Sequence, residues 1–148
     1  MDTAKYITSE RFIHDELMRR AAAVVDTLPR LWKRDGRISP SIFIWPASTI
    51  RTDDAGNHDG LIVGFLPEDG SDRAAFIRSA LSKTKPYAIL VVEADSNRVS
   101  ALFETHHGTR AWTMPIKQHG DARVLGDMQV SDDKECLGML WRKDPGRS

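Results

Sequence analysis

The sequence predicts an α+β protein with a predominantly antiparallel β-sheet, a hairpin plus a C-terminal meander, and two helices in the order α-β-β-α-β-β-β-β-β. Two observations lead to this prediction. The run Tyr87–Val92 is apolar without a break and rich in β-branched residues, which is typical of a strand covered on both faces. After it, turn-forming residues recur at short and regular intervals, a spacing that favours a meander.

Length and charge limit the classes of function. The 148 residues suit a single domain, and the 21 basic and 21 acidic side chains leave a net charge of zero. No overall field attracts nucleic acid or an anionic membrane, so we expect neither as a partner. Cys136 is the only cysteine, and no apolar run has the length of a membrane span or a signal peptide. We therefore expect the protein in the cytoplasm.

The most secure element is an amphipathic helix over Thr8–Arg34. Thr8 or Ser9 is predicted to cap the start of the helix. Pro29 has no backbone donor, so the helix should kink or stop near Thr27, and Gly36 should close the short second piece. Apolar side chains recur along the helix at spacings of three and four, at Ile13, Leu17, Ala21, Val24, Leu28 and Leu31.

A basic patch surrounds Trp32 near the end of this helix. Cations beside an aromatic ring could hold a phosphate group or an acidic partner. The interpretation that we favour is a solvated helix end, whose cations interact with the negative end of the helix dipole. The patch consists of Arg30, Lys33, Arg34 and Arg37.

Two strands, Ser41–Trp45 and Gly60–Leu66, are predicted to form a hairpin. The polar loop between them, residues 50–59, carries three aspartates and a histidine, a composition that suggests a calcium loop. Aligning Gly60 with the invariant glycine of such a loop puts Ala55 and Leu66 where oxygen ligands belong. We therefore predict no metal there, and an ordinary polar hairpin end.

A second helix is predicted over Asp72–Lys83, with Ser71 or Asp69 as its cap. Its length is short, and we expect it to pack across the sheet through one apolar stripe. The predicted stripe is Ala74, Ile77, Ala80 and Leu81.

The strands that follow Tyr87–Val92 alternate between apolar and polar residues, which is the pattern of half-buried strands. The last two strands are predicted over residues 124–130 and 136–141. Pro115 would break a ladder of hydrogen bonds, so its strand should be an edge or carry a bulge. The predicted turns are Asp95–Asn97, His106–Thr109, His119–Asp121 and Ser131–Asp133.

The candidates for catalysis are Glu93, His106 and His107. The two histidines form a hairpin tip, and histidine titrates near neutrality and binds zinc. Glu93 ends a buried strand, a position in which a carboxylate can act in acid–base catalysis. The interpretations that we favour are an exposed polar turn for the histidines and a carboxylate that is solvated or paired with Arg98. No catalytic motif of defined spacing is present in the sequence.

Two classes of function remain open. The sequence favours a binding or accessory protein that forms a homodimer and contacts a host protein or a small ligand, without a cofactor or metal. Both helices on one face of the sheet would leave the other face or an edge free for this. The alternative is a small hydrolase or metal-dependent enzyme that uses Glu93 with His106 or His107. The candidate binding residues are Trp45, Trp112, Met114 and Arg110, with core packing as the alternative for the apolar ones.

Several different short motifs follow one another along Tyr87–Gly126. They are V-V-E-A at Val91–Ala94, then Arg98, F-E-T-H-H-G at Phe103–Gly108, M-P-I at Met114–Ile116, and Leu125 with Gly126. This arrangement resembles small uncharacterised α+β proteins carried by phages, plasmids and other mobile elements. In those proteins a strand ending in Glu-Ala is followed by a hairpin with a Thr-x-x-Gly turn. The resemblance implies a mobile-element origin and no particular activity.

Overall fold

The computed structural model describes residues 3–46, 61–84 and 86–133, with side chains from residue 13 to residue 132 within these ranges. The described helices are α1 (Thr3–Asp26), α2 (Leu28–Asp35) and α3 (Gly70–Thr84). The described strands are β1 (Ser41–Pro46), β2 (Ile62–Phe65), β3 (Pro86–Ala94), β4 (Arg98–Thr105), β5 (Gly108–His119), β6 (Ala122–Leu125) and β7 (Gln129–Asp133). The α+β class and the predicted element order are confirmed, with the first helix in two pieces. The predicted loop 50–59 and the predicted strand 136–141 lie outside the described residues.

The strands form one curled antiparallel sheet in the order β2-β1-β3-β4-β5-β6, with β7 also paired to β5. Central strand β3 is covered on both faces, as predicted. Leu90 and Val92 pack in the core beneath α1 and α2, whereas Ile89 and Val91 pack in the core that contains Ile77 of α3. The two predicted helices therefore lie on opposite faces of the sheet, so the arrangement with both on one face, which the sequence left open, is not the one observed. We call the two sides of the sheet the α1/α2 face and the α3 face.

The break in the N-terminal helix falls where the sequence predicts it. Helix α1 ends before Thr27, and Pro29 occupies the first turn of α2. Gly36 closes α2 in the left-handed conformation, at φ 70°, and its N–H donates to the Trp32 carbonyl at 2.7 Å. The predicted cap is wrong, because α1 begins at Thr3. The sequence before Pro29 contains no glycine or proline, so nothing in it interrupts the helix near Thr8 or Ser9.

The buried stripe of α1 and α2 differs from the predicted one at three positions, the first being Ile13, which is half-buried while its neighbour His14 is buried. At the other two, Val25 and Trp32 are buried, whereas their neighbours Val24 and Leu31 are only half-buried. Apolar residues stand side by side at these two positions, so spacing alone fits either choice. The structure buries the bulkier Trp32 and leaves Leu31 at the side of the helix.

Helix α3 packs through fewer residues than predicted. Asp69 caps it, since its Oδ1 accepts the N–H of Ser71 at 2.9 Å and the N–H of Asp72 at 3.3 Å. Ile77 is buried, and Ala80 and Leu81 pack beside it, but Ala74 is exposed. The first turn is instead attached through Arg73, whose guanidinium donates to the Pro67 and Glu68 carbonyls at 3.0 and 2.9 Å.

Pro115 lies in β5, which is paired on both sides. The N–H of the next residue, Ile116, donates to the Asn97 carbonyl beside β4, so the polar groups of Pro115 point the other way. There its carbonyl accepts the Gly126 N–H at 2.7 Å, in the gap between β6 and β7. The missing donor of Pro115 thus faces a break in the neighbouring strand. The single strand predicted over 124–130 is split at this break.

Gly126 fits this break because it has no side chain. A Cβ at this position would lie 2.9 Å from Cγ of Pro115 and 2.9 Å from Cε of Lys117, closer than real Cβ contacts come. After the break, β7 continues along β5 through Ser131–Asp133, where a turn was predicted. That prediction is wrong because Arg110 donates to both carboxylate oxygens of Asp132, at 2.6 and 2.9 Å. These hydrogen bonds hold the pKa of the Asp132 carboxyl below its ordinary value.

Candidate functional site

The predicted binding residues Trp45, Trp112 and Met114 lie in the core of the α1/α2 face. All three are almost fully buried, and the Trp45 ring meets Phe103 edge-on at a centroid distance of 6.1 Å. Arg110 is bound to the aspartate of β7 that lies opposite it. The sequence allowed a binding role or core packing for the three apolar residues, and the structure shows core packing.

The predicted catalytic residues lie at opposite ends of β4. Glu93 pairs with Ser100, whereas His106 and His107 follow Thr105, five positions further along that strand. At about 3.3 Å per residue, Ser100 and Thr105 are roughly 16 Å apart. Proton transfer or shared coordination needs about 2–3 Å, so the structure does not bring Glu93 and the histidines together.

The contacts of Glu93 also differ from the predicted ones. Its carboxylate lies 3.4 Å from the guanidinium of Arg73 on α3, and not beside Arg98. This pair connects the first turn of α3 to the end of β3. Within the described residues, no three side chains among histidine, cysteine, aspartate and glutamate are grouped as a metal site.

The residue that the sequence prediction missed is His14 on α1. It is buried, and its Nδ1 shares a hydrogen bond of 2.5 Å with the Thr105 hydroxyl. Its ring lies 5.5 Å from the ring of His107 and 5.9 Å from that of Phe103. The position could have been found, because His14 stands three residues before Leu17 on the buried stripe.

The contacts around Thr105 close the β4–β5 turn. Its hydroxyl oxygen accepts the backbone N–H of His107 at 2.9 Å and also meets His14, so it connects α1 to the turn. Glu104 is buried as well, but neighbouring residues of a strand point to opposite faces, so its side chain lies on the α3 face. We interpret the cluster of His14, Thr105 and His107 as a structural contact that attaches α1 to the β4–β5 turn.

The Thr105→Val variant should lose about 1–3 kcal/mol of unfolding free energy, because it removes a buried hydroxyl that bonds to the His14 ring and to the His107 N–H. Thr113→Val, which changes a half-buried threonine of β5, is the matched control and should change stability less. Urea denaturation of both variants provides the measurement. Equal stability of the two variants would contradict the role of Thr105 in attaching α1 to the β4–β5 turn.

Exposed apolar side chains concentrate on β2, the strand that ends the described sheet. Phe65 is 78% exposed and Val63 is 58% exposed, more than any other large apolar residue described. Their partners in β1, Ser41 and Phe43, place both side chains on the α1/α2 face. Leu61 and Ile62 are also exposed. This short strand therefore presents an apolar surface to its surroundings.

The position of the helices explains why β2 is uncovered. Helix α1 contacts β3 and β4, and α2 contacts β6, which stands at the other end of the strand order from β2. The Trp32 indole N–H donates to the Arg123 carbonyl of β6 at 2.9 Å, and the Arg123 guanidinium stacks over the indole, 5.5 Å from its centroid. These contacts hold α2 towards β6 and away from β2.

The backbone of β2 is also oriented for pairing. The Leu66 N–H donates to the Pro40 carbonyl, so alternate residues of β2 direct their polar groups to β1. The residues between them, Val63 and Phe65, direct their N–H and C=O groups away from β1. The two residues with the most exposed side chains are thus also the two with outward-directed backbone groups.

A groove of about 510 Å³ separates α2 from β2. Its volume lies within the range of pockets that bind small ligands. The apolar residues that line it include Val24, Leu28 and Leu31 from the helices and Phe43, Val63 and Phe65 from the sheet. The half-buried Val24 and Leu31 of the helices therefore form one wall of this groove.

Two arginines of the predicted basic patch line the same groove. Arg34 donates to both oxygens of Asp35 at 2.9 Å, and Arg37 donates to Glu68 at 2.9 Å. Both guanidinium groups are mostly exposed. Exposed pairs of this kind contribute little to stability, so either arginine can exchange its partner for another anion.

The other cations of the basic patch, Arg30 and Lys33, line an adjacent depression that shares Leu31 and Arg34 with the groove. Neither forms an ion pair within the part of the chain that the structure describes. The four cations thus lie on the surface beside the groove and remain compatible with both predicted interpretations, an anion site and a solvated helix end.

Neither a protein-family model nor a curated protein nor a solved structure matches the chain. The resemblance to proteins of mobile elements therefore stays a prediction. No described helix has both the length and the apolar character that a membrane span requires. The function proposed for the chain therefore rests on its own residues.

Proposed function

We propose that the protein is a binding protein that forms a homodimer by pairing the β2 strands of two copies. The observation that supports this is the coincidence, on Val63 and Phe65, of exposed apolar side chains and outward-directed backbone groups. An exposed apolar edge strand is a template on which another strand can add. Natural edge strands that stay unpaired usually carry lysine, proline or a bulge, and β2 has the sequence I-V-G-F.

A second copy suits this edge because the edge carries no charge. Two identical strands can meet antiparallel about a twofold axis, so each presents the same surface to the other. Since Ile62–Phe65 contains no ionisable residue, the two copies approach without repulsion between like charges of these strands. Both α1/α2 faces then lie on the same side of a continuous sheet.

The outward-directed groups restrict the register, and we propose the one centred on Gly64. Placing Gly64 on the twofold axis sets Val63 opposite Phe65 of the second copy, and about four backbone hydrogen bonds then form. Moving the axis to Phe65 would oppose Val63 to Pro67, which has no N–H to donate. A short strand buries less than the roughly 800 Å² per partner of a standard interface, so we expect a dissociation constant on the order of micromolar.

The Val63→Lys variant tests this function. A lysine at the centre of the edge places two ammonium groups near the twofold axis, so the dissociation constant of the dimer should rise at least about tenfold. The matched control is Val130→Lys, which is 54% exposed and lies on β7, remote from β2 in the strand order. Light scattering during gel filtration measures the mass of each variant.

The two variants separate the possible results clearly. A monomeric Val63→Lys variant beside a dimeric Val130→Lys variant supports pairing through β2. If Val63→Lys stays as dimeric as the unmodified chain, or if Val130→Lys dissociates equally, then the copies do not associate through β2.

A further inference from the structure

We propose that the groove between α2 and β2 binds a single-chain amphiphile with an anionic head group. The apolar chain lies between Leu31 and Phe65, and the head group lies at Arg34 and Arg37. This inference goes beyond the homodimer. The two proposals share Val63 and Phe65, but the dimer uses the backbone groups of these residues, whereas the groove uses their side chains together with the arginines.

The walls of the groove favour an apolar chain. Leu31 is half-buried on the helix side, and Phe43 is half-buried on the sheet side, while Val63 and Phe65 are largely exposed. A chain placed between the two walls removes apolar surface from water on both sides, which favours binding. The space persists because α2 is held towards β6 by the hydrogen bond from the Trp32 indole to the Arg123 carbonyl.

The charges at one end of the groove favour an anion. Arg34 and Arg37 line the groove together with one carboxylate, Asp35, and Glu68 adds a second through its pair with Arg37. Arg30 and Lys33 lie next to it, so four cations face two carboxylates in this region. A local excess of positive charge attracts a monoanionic head group and disfavours a cationic one. An arginine can bind a carboxylate through two parallel hydrogen bonds.

The test uses two probes with apolar chains of nearly equal length, n-decanoate and decyltrimethylammonium, each below its micellar concentration. Isothermal titration calorimetry measures their affinity for the complete chain. We expect decanoate to bind at least about tenfold more tightly, because its carboxylate attracts and hydrogen-bonds to the arginines, whereas the trimethylammonium group is repelled by them. Raising the salt concentration should weaken decanoate binding.

Variants identify the place of binding. Arg34→Gln combined with Arg37→Gln should weaken decanoate about tenfold, since both charge-assisted contacts are lost. The matched control is Arg19→Gln combined with Arg20→Gln, two exposed arginines of α1 that pair with Glu16. This control should leave decanoate affinity unchanged. All four arginines have exposed side chains, so both variants should fold.

Three results would overturn the proposal. The first is that decanoate does not bind, which would leave the groove to a protein partner. The second is that decyltrimethylammonium binds as tightly as decanoate. The third is that the Arg34 and Arg37 variant keeps full affinity, or that the control loses as much. The mass of the protein in solution is a separate readout, so failure here leaves the homodimer to be judged by its own test.

Discussion

A Gly64→Cys variant should form a disulfide-linked dimer under mild oxidation at protein concentrations above the dissociation constant. In the proposed register Gly64 lies on the twofold axis, opposite its own copy in a pair without mutual hydrogen bonds. The Cα atoms of such a pair are about 4.5 Å apart, within the range that a disulfide spans. The side chain fits the single chain as well, because among the described residues a Cβ at this position meets only Ile42, at 4.0 Å.

The matched control for this experiment is Val63→Cys. Both variants carry Cys136→Ser, which removes the only native cysteine. In the proposed register the two copies of residue 63 are displaced along the strand, so their Cα atoms are roughly 8–9 Å apart, beyond the reach of a disulfide. Non-reducing electrophoresis should show nearly complete cross-linking for Gly64→Cys and little for Val63→Cys. Equal cross-linking, or more from Val63→Cys, would contradict the register.

The Trp45→Ala variant should lose about 3–5 kcal/mol of unfolding free energy, because it leaves a large cavity in the core. Trp45 is 2% exposed and packs edge-on against Phe103. Urea denaturation followed by circular dichroism measures this loss. The protein concentration should be below the dissociation constant of the dimer, since association would add to the apparent stability.

The control for Trp45→Ala is Phe65→Ala, which removes an aromatic ring that is 78% exposed. We expect its unfolding free energy to change by about 0.5 kcal/mol or less. The pair distinguishes a core residue from an exposed residue of the proposed interface, since both are aromatic residues of strands. A stable Trp45→Ala variant would contradict the core assignment.

Much of the fold could be predicted because hydrophobic pattern and backbone chemistry agree. The unbroken apolar run of β3 predicted a strand covered on both faces, and Pro29 and Gly36 marked the ends of the two helical pieces. Pro115 marked the place of an irregularity, but the edge or bulge predicted for its own strand is instead a break in the neighbouring strand. The errors arose where a long-range contact overrides local preference. Asp132 belongs to a turn-like Ser-Asp-Asp sequence, yet Arg110 holds it in a strand.

The candidate site was harder to predict, because exposure is a property of the assembled fold. Trp45 and Phe65 are both aromatic residues in predicted strands, and only the position of the helices buries the first and uncovers the second. The phase of the α2 stripe was likewise decided by tertiary packing, which buried Trp32 and left Leu31 beside the groove. The Glu93 and histidine pairing failed because strand register, which the sequence leaves open, separates them.

Sedimentation equilibrium of the unmodified chain, over concentrations on both sides of the micromolar range, tests the homodimer most directly. Association through β2 predicts a mass that rises with concentration from one chain mass of 16.6 kDa towards twice that value. A constant mass of one chain at every concentration, up to the highest one reached, would contradict the proposed dimer.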